Sequence, residues 1–128
     1  MVDKDPVPRW TFGRVTFLGD AAHPMYPRGS NGSAQAILDA RILAQQLVTA
    51  VDGPAALSAY EALRLPVTAK IVEANRTAPP DFINIKVDEL SGGKPFRHID
   101  DLISQEELRR MSDSYKRVAG FALETPEE

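Results

Sequence analysis

Between Arg14 and Gly32 the chain passes from a β-branched and aromatic run, through a loop of prolines and glycines, into a helix start. This passage, Arg14-Val-Thr-Phe-Leu-Gly-Asp20-Ala-Ala-His-Pro-Met-Tyr-Pro-Arg-Gly29-Ser-Asn-Gly32, limits the possible folds more than any other. Val15, Phe17 and Leu18, with Thr16 among them, predict a short strand buried on at least one face. Glycines, prolines and small polar residues from Gly19 to Asn31 make continuous regular structure improbable there. A helix then runs from Gly32 or Ser33 to about Ala50, because Ala, Leu, Ile and Gln dominate it. Strand, loop and helix in that order suit an α/β protein, where ligands bind beyond the carboxyl end of a strand.

The rest of the chain reads as helical. In the first helix, Gln35, Asp39 and Gln46 form one narrow polar stripe, while apolar residues cover most of the circumference, interrupted by Arg41. Such a helix expects neighbours on two or more sides. Asp52-Gly53-Pro54 ends it, and a second helix follows over Ala55 to Arg76. Leu57, Tyr60, Leu63, Val67, Ile71 and Ala74 mark its apolar stripe, with a kink expected at Pro66. Ala78-Pro-Pro80 is a boundary before a short helix from Asp81 to Leu90 and a flexible Ser91-Gly-Gly-Lys-Pro95 turn. The last helix opens on Ser104 with Glu107 three residues on, a capping box flanked by Ile103 and Leu108 at staple positions. Leu108, Met111, Tyr115 and Val118 make its buried stripe, and Gly120 is its C-cap, with Phe121 packing back. The division is a linker or arm over 1–12, strand, loop and helix over 13–50, and a helical part over 54–121.

Several classes are excluded. A net charge of -3 opposes a nucleic-acid binder, which needs a clustered basic face. There is no cysteine, hence no disulfide or thiolate metal site, and no His or carboxylate spacing points to a metal. No apolar run approaches the roughly 20 residues needed to cross a bilayer. The N-terminal segment has no apolar signal core, so a cytoplasmic setting is the expectation.

The candidate site follows from the first passage. Asp20, at the end of the expected strand, offers a carboxylate to sugar hydroxyls, and Gly19 permits close approach. The competing reading is a carboxylate that caps its own turn. Gly29 and Gly32 bracket Ser30-Asn31, where the backbone can turn tightly and approach a flat ligand. The first-turn amides of Ser33 and Ala34, with the helix dipole behind them, favour partial negative charge. His23, before Pro24, is expected to position backbone rather than act as a general base, and His98 to be solvated. Asp39 and Arg41 are expected to pair with partners outside this chain or with their own surroundings, and Glu106, Glu107, Arg109 and Arg110 to form a solvated face.

Gly19-Asp20-Ala21-Ala22-His23, followed by Pro27, Gly29, Gly32 and Asp39-Ala40, resembles the second FAD-binding motif of the flavoprotein aromatic hydroxylases, the family of p-hydroxybenzoate, salicylate and phenazine hydroxylases. The likeness extends through Tyr60-Glu61 to Pro66 and through Glu107 to Phe121, so it covers nearly the whole chain. It implies that Asp20 binds a ribityl or ribose hydroxyl of FAD and that Pro27 lies near the reactive edge of the isoalloxazine. Tyr26 and Arg28 would border the substrate, while Gly32, Ser33 and Ala34 present amides to the flavin's N1 and O2 edge. Asn31 and Gly29 belong to the same cofactor-binding loop. The implied activity is hydroxylation of a small aromatic substrate with NAD(P)H and oxygen.

The chain also departs from that family. Its G-x-G-x-x-G turn for the FAD pyrophosphate, its middle Asp-Gly motif and its substrate-covering sheet have no counterpart here. The expected fold is therefore mostly α with one short strand, a C-terminal fragment of an α/β FAD/NAD(P)-binding (Rossmann-like) flavoprotein monooxygenase. Its partners would be FAD, a small aromatic substrate and the missing N-terminal portion, with no nucleic acid and no membrane. Alone it is expected to hold FAD weakly and to expose apolar helix faces. The alternatives are a non-catalytic helical interaction module derived from that fold, or part of another FAD-dependent oxidoreductase.

Overall fold

The computed structural model describes residues 4–27, 31–77 and 81–120. Two strands, β1 (Thr11–Phe12) and β2 (Val15–Thr16), pair antiparallel with Thr11 opposite Thr16. A 3₁₀ turn at Gly19–Ala21 leads toward helix α1 (Gly32–Thr49), which is followed by α2 (Gly53–Thr77), α3 (Phe82–Ser91) and α4 (Gln105–Ala119). α1 packs on α2 and on the 3₁₀ turn, and α4 packs on α2. No helix among the described residues is long and apolar enough to cross a membrane.

The expected single buried strand is replaced by a minimal hairpin. Gly13, at φ +63°, supplies the left-handed residue of its turn. Val15 is 61% exposed, and Phe12, Phe17 and Leu18 are exposed as well. Two strands of two residues give these side chains no second layer to meet, so the apolar run stays at the surface. Phe12 and Phe17 meet edge to face at 6.0 Å, and the Arg9 guanidinium lies 4.8 Å from the Phe12 ring centre.

The segment read as an arm instead carries the centre of the core. Trp10 is buried with Ala22 and Tyr60, its ring 5.7 Å from those of Tyr60 and His23. The Glu61 carboxylate on α2 accepts the amides of both Trp10 (2.9 Å) and Thr11, which fastens the hairpin to the helix. The Tyr60 hydroxyl donates to the Phe17 carbonyl from the other side, at 3.3 Å.

α1 begins and ends close to where its composition predicts. The polar stripe turns inward: Gln35 and Asp39 are the fully enclosed residues of the helix, while Ile37 is 70% and Val48 86% exposed. Correspondingly, α2 buries Ala56, Tyr60, Arg64, Thr68, Ile71, Val72 and Asn75, a face spaced in steps of three and four. Of the expected apolar stripe only Tyr60 and Ile71 lie on it, and Leu63 is half exposed. Polar side chains with mutual partners outcompete apolar ones for this interface. Pro66 lies inside α2 on its exposed side, and the helix does not stop there.

α4 follows its sequence signals closely. The Ser104 hydroxyl accepts the Glu107 amide at 3.1 Å, and Gly120 at φ +75° ends the helix. Leu108, Met111 and Tyr115 are half-buried, Ala119 is fully buried, and Val118 is exposed at the edge of the stripe. The Ala78–Pro80 boundary and Phe121 lie outside the described residues.

Candidate functional site

The site forms where the 3₁₀ turn meets the start of α1. Asp20 is not at a strand end, because β2 stops at Thr16 and Asp20 occupies the 3₁₀ turn. Its carboxylate is exposed, and its oxygens take no partner among the described residues. The turn brings it over the first turn of α1: a Cβ added to Gly32 would lie 3.6 Å from Asp20 Oδ1. Gly19 is required twice, by its φ of +60° and because a Cβ there would press on Ala36 Cβ at 3.2 Å. Its carbonyl accepts the amides of Ala22 and His23, both at 2.9 Å, which closes the turn.

The leading amides of α1 have no intrahelical acceptor among the described residues. The first intrahelical bond runs from the Gln35 amide to the Asn31 carbonyl at 2.9 Å, so Gly32, Ser33 and Ala34 precede any i−4 acceptor within the helix. Asn31, in the N-cap position, makes no side-chain cap. Ser33 is exposed and Ala34 half-buried. Tyr26 is half-buried and Pro27 exposed on the approaching loop, while Arg28 and Gly29 lie outside the described residues.

A buried ionic hub fixes this arrangement. Asp39 Oδ2 accepts the Gly19 amide at 3.1 Å and the His23 Nε2–H at 2.6 Å. Its Oδ1 accepts Arg64 Nε–H at 2.6 Å, and Arg64 Nη2 donates to Gln35 Oε1 at 2.6 Å. Gln35 Nε2 in turn donates to the Ala119 carbonyl at 3.0 Å, tying α4 to α1. Asp39 is wholly enclosed, and burial alone would raise its pKa. The donors His23, Arg64 and Gly19, together with the charge of His23, outweigh that and hold it below the ordinary carboxylate range. Because an ionised Asp39 only accepts, His23 Nε2 must carry a proton. The Tyr60 phenol moves the other way, raised chiefly by burial and further by the nearby Asp39 charge.

A second polar chain lies beside the hub. Asn31 Nδ2 donates to the Tyr115 hydroxyl at 2.7 Å, and that hydroxyl donates to Asn75 Oδ1 at 2.7 Å. Asn75 Nδ2 donates to the Tyr26 carbonyl at 3.5 Å. Burial raises the Tyr115 hydroxyl pKa, with the Asn31 bond opposing.

The structure thus brings Gly19, Asp20 and the Gly32–Ala34 turn together. His23 holds the loop through its side chain, which bonds Asp39, rather than facing solvent. Asp39 pairs inside this chain with Gly19, His23 and Arg64, the second of the two pairings expected for it. Arg64, Gln35, Asn75 and Tyr115 were not singled out as site residues by the sequence alone. The available signal was spacing: Gln35 and Asp39 stand four apart, as do Arg64 and Thr68, on helices otherwise rich in apolar residues.

The 3₁₀ turn thus sets an exposed carboxylate, Asp20, beside the glycine that opens α1. Parts of this chain are similar to known proteins. The chain is 60% identical over 76 residues to a phenazine 1,6-dicarboxylic acid hydroxylase of Lysobacter antibioticus, an overlap covering 59% of this chain and 19% of that protein. It is 45% identical over 83 residues to 3-hydroxybenzoate 6-hydroxylase 1 of Aquipseudomonas alcaligenes, covering 65% of this chain and 21% of the relative. With 6-hydroxynicotinate 3-monooxygenase of Pseudomonas fluorescens it shares 41% over 73 residues, 56% of this chain and 19% of the relative. The chain therefore spans about a fifth of the length of these relatives. Residues 2–75, more than half of the chain, match the family described as FAD binding domain, and the chain belongs to that family.

Proposed function

We propose that this chain is the flavin-contacting, C-terminal part of an FAD-dependent monooxygenase that hydroxylates a small aromatic ring using NAD(P)H and oxygen. The carrying observation is the exposed Asp20 carboxylate set beside the first turn of α1. In this reading Asp20 accepts a ribityl or ribose hydroxyl, and the amides of Gly32, Ser33 and Ala34 stabilise negative charge on the N1 and O2 edge of the flavin. Main-chain amides suit that task because they do not titrate. Pro27 borders the reactive edge, Tyr26 and Arg28 the substrate, and Gly29 and Asn31 shape the loop between them. FAD, when bound, supplies the redox chemistry, and these residues bind and orient it. The names of the relatives, hydroxylases and monooxygenases of phenazine, benzoate and nicotinate rings, support an aromatic or heteroaromatic substrate.

The adenine and pyrophosphate contacts belong, in this proposal, to the remainder of such an enzyme, so the chain alone retains little FAD. Co-expression with the remaining length of the Lysobacter relative, followed by purification, tests it. Flavin absorbance should co-purify with the pair and not with the chain alone. Asp20→Ala should remove most of the retained flavin while leaving the urea midpoint of the isolated chain in place, since its carboxylate is exposed. Full flavin retention by Asp20→Ala would contradict the assignment.

A further inference from the structure

We infer that the Trp10 indole and the His23 ring together hold one water molecule, in a small cavity where the N-terminal segment meets α2. Both side chains are almost wholly buried, Trp10 at 1% exposure and His23 at 2%, and their rings lie 5.7 Å apart. Trp10 Nε1 and His23 Nδ1 are each enclosed with no hydrogen-bond partner among the described residues. Buried polar atoms nearly always have a partner, which is either protein or ordered water. The two residues line the same cavity of about 10 Å³, with Thr68, Pro6, Val7 and Leu65 among its other walls, and every lining residue is a described one. That is about the room one water needs.

The chemistry of the two atoms selects water. His23 Nε2–H is committed to the ionised Asp39, which leaves Nδ1 as the ring position in need of a partner. Nδ1 accepts when the ring is neutral and donates when the ring is charged, whereas an indole N–H only donates. A direct bond between Trp10 and His23 therefore serves the neutral ring alone. A water accepts from Trp10 and donates to His23 in the first state, and accepts from both in the second. Thr68 Oγ1, wholly enclosed, shares its proton between the Arg64 and Leu65 carbonyls, so it keeps a lone pair for a remaining water proton. Two or three partners are within the ordinary range for a buried water. With Nδ1 engaged, both nitrogens of His23 are held, and with them the far end of the turn that carries Asp20. The water site stands whether or not the chain binds flavin.

NMR of the full chain without flavin tests it. Trp10 is the sole tryptophan, so a single indole N–H signal reports the site. That proton should show cross-peaks at the water frequency in water-selected NOE and ROE spectra, with opposite signs in the two. Opposite signs indicate a water held close for longer than surface hydration lasts, whereas plain exchange gives equal signs. Thr68→Val keeps the shape of the side chain and removes the one hydroxyl among the lining residues, and the cross-peaks should persist. Should Thr68→Val not fold, Thr68→Ala serves in its place. Loss of the cross-peaks in whichever variant folds would assign them to the hydroxyl and overturn the inference. Their absence from the wild-type chain would overturn it too, as would a nitrogen–nitrogen coupling from Trp10 Nε1 to His23 Nδ1, which reports a direct bond.

Discussion

Replacing Asp39 by asparagine tests the hub most directly. The carboxylate divides its oxygens: Oδ2 serves Gly19 and His23, and Oδ1 serves Arg64. An asparagine of the same size has one acceptor oxygen and one NH2 group. Whichever way it turns, a donor meets a donor, and Arg64, only 7% exposed, loses its counter-charge. Breaking a buried ion pair from one side costs about 3–5 kcal/mol, a large part of the roughly 5–15 kcal/mol of a typical domain. Urea unfolding followed by Trp10 fluorescence is the assay, since Trp10 is the sole tryptophan and packs beside His23. Asp39→Leu combined with Arg64→Met should cost less than the sum of its single changes, because the guanidinium is no longer stranded. A loss below about 1 kcal/mol for Asp39→Asn would refute the hub, as that is the scale of a surface pair.

Because the folded pKa of Asp39 is depressed, its stabilisation is present above the unfolded value of about 3.9 and is lost as pH falls through the lower folded value. The stability gap between the wild type and Asp39→Asn should therefore be constant near neutrality and close in acid, as read from urea midpoints across pH. The Tyr60 phenol, raised by burial and by Asp39, should give no phenolate absorbance until the chain unfolds in alkali. Gly19→Ala should destabilise by about 1–3 kcal/mol, combining left-handed backbone strain with the clash at Ala36. Gly92→Ala, at φ +61° with nothing near the added methyl, should cost only the strain of about 1 kcal/mol, and chemical denaturation compares the two. Ser104→Ala should remove the α4 cap for about 1 kcal/mol, measured the same way.

The helices could be read from the sequence because their end signals act locally. Gly53-Pro54, Ser104 with Glu107, and Gly120 each act on their own turn, and the bounds of α1 and α4 follow them closely. The faces were harder, because they are decided by partners distant in sequence. Asp39 was legible only as part of a polar stripe, because its partners Gly19, twenty residues earlier, and Arg64, twenty-five later, lie far off in sequence. Trp10 looked like part of an arm because its anchor, Glu61, lies fifty-one residues away. The glycine-aspartate passage was read through its resemblance to the flavoprotein hydroxylases, and the family it pointed to matches residues 2–75. The Asn31–Tyr115 bond carried no such mark, spanning eighty-four positions between two ordinary polar residues.

The even mixture of buried residues has a thermal consequence. Among the described residues eight apolar side chains are buried, and eight polar or charged ones, from Thr11 to Asn75, share their interior. Exposing apolar surface raises heat capacity, whereas exposing polar surface lowers it, and the two here work against each other. Calorimetry should accordingly return an increment per residue under the usual value of about 12–15 cal/mol/K. The curve of stability against temperature would then be shallow, with a fold that weakens gently on both warming and chilling.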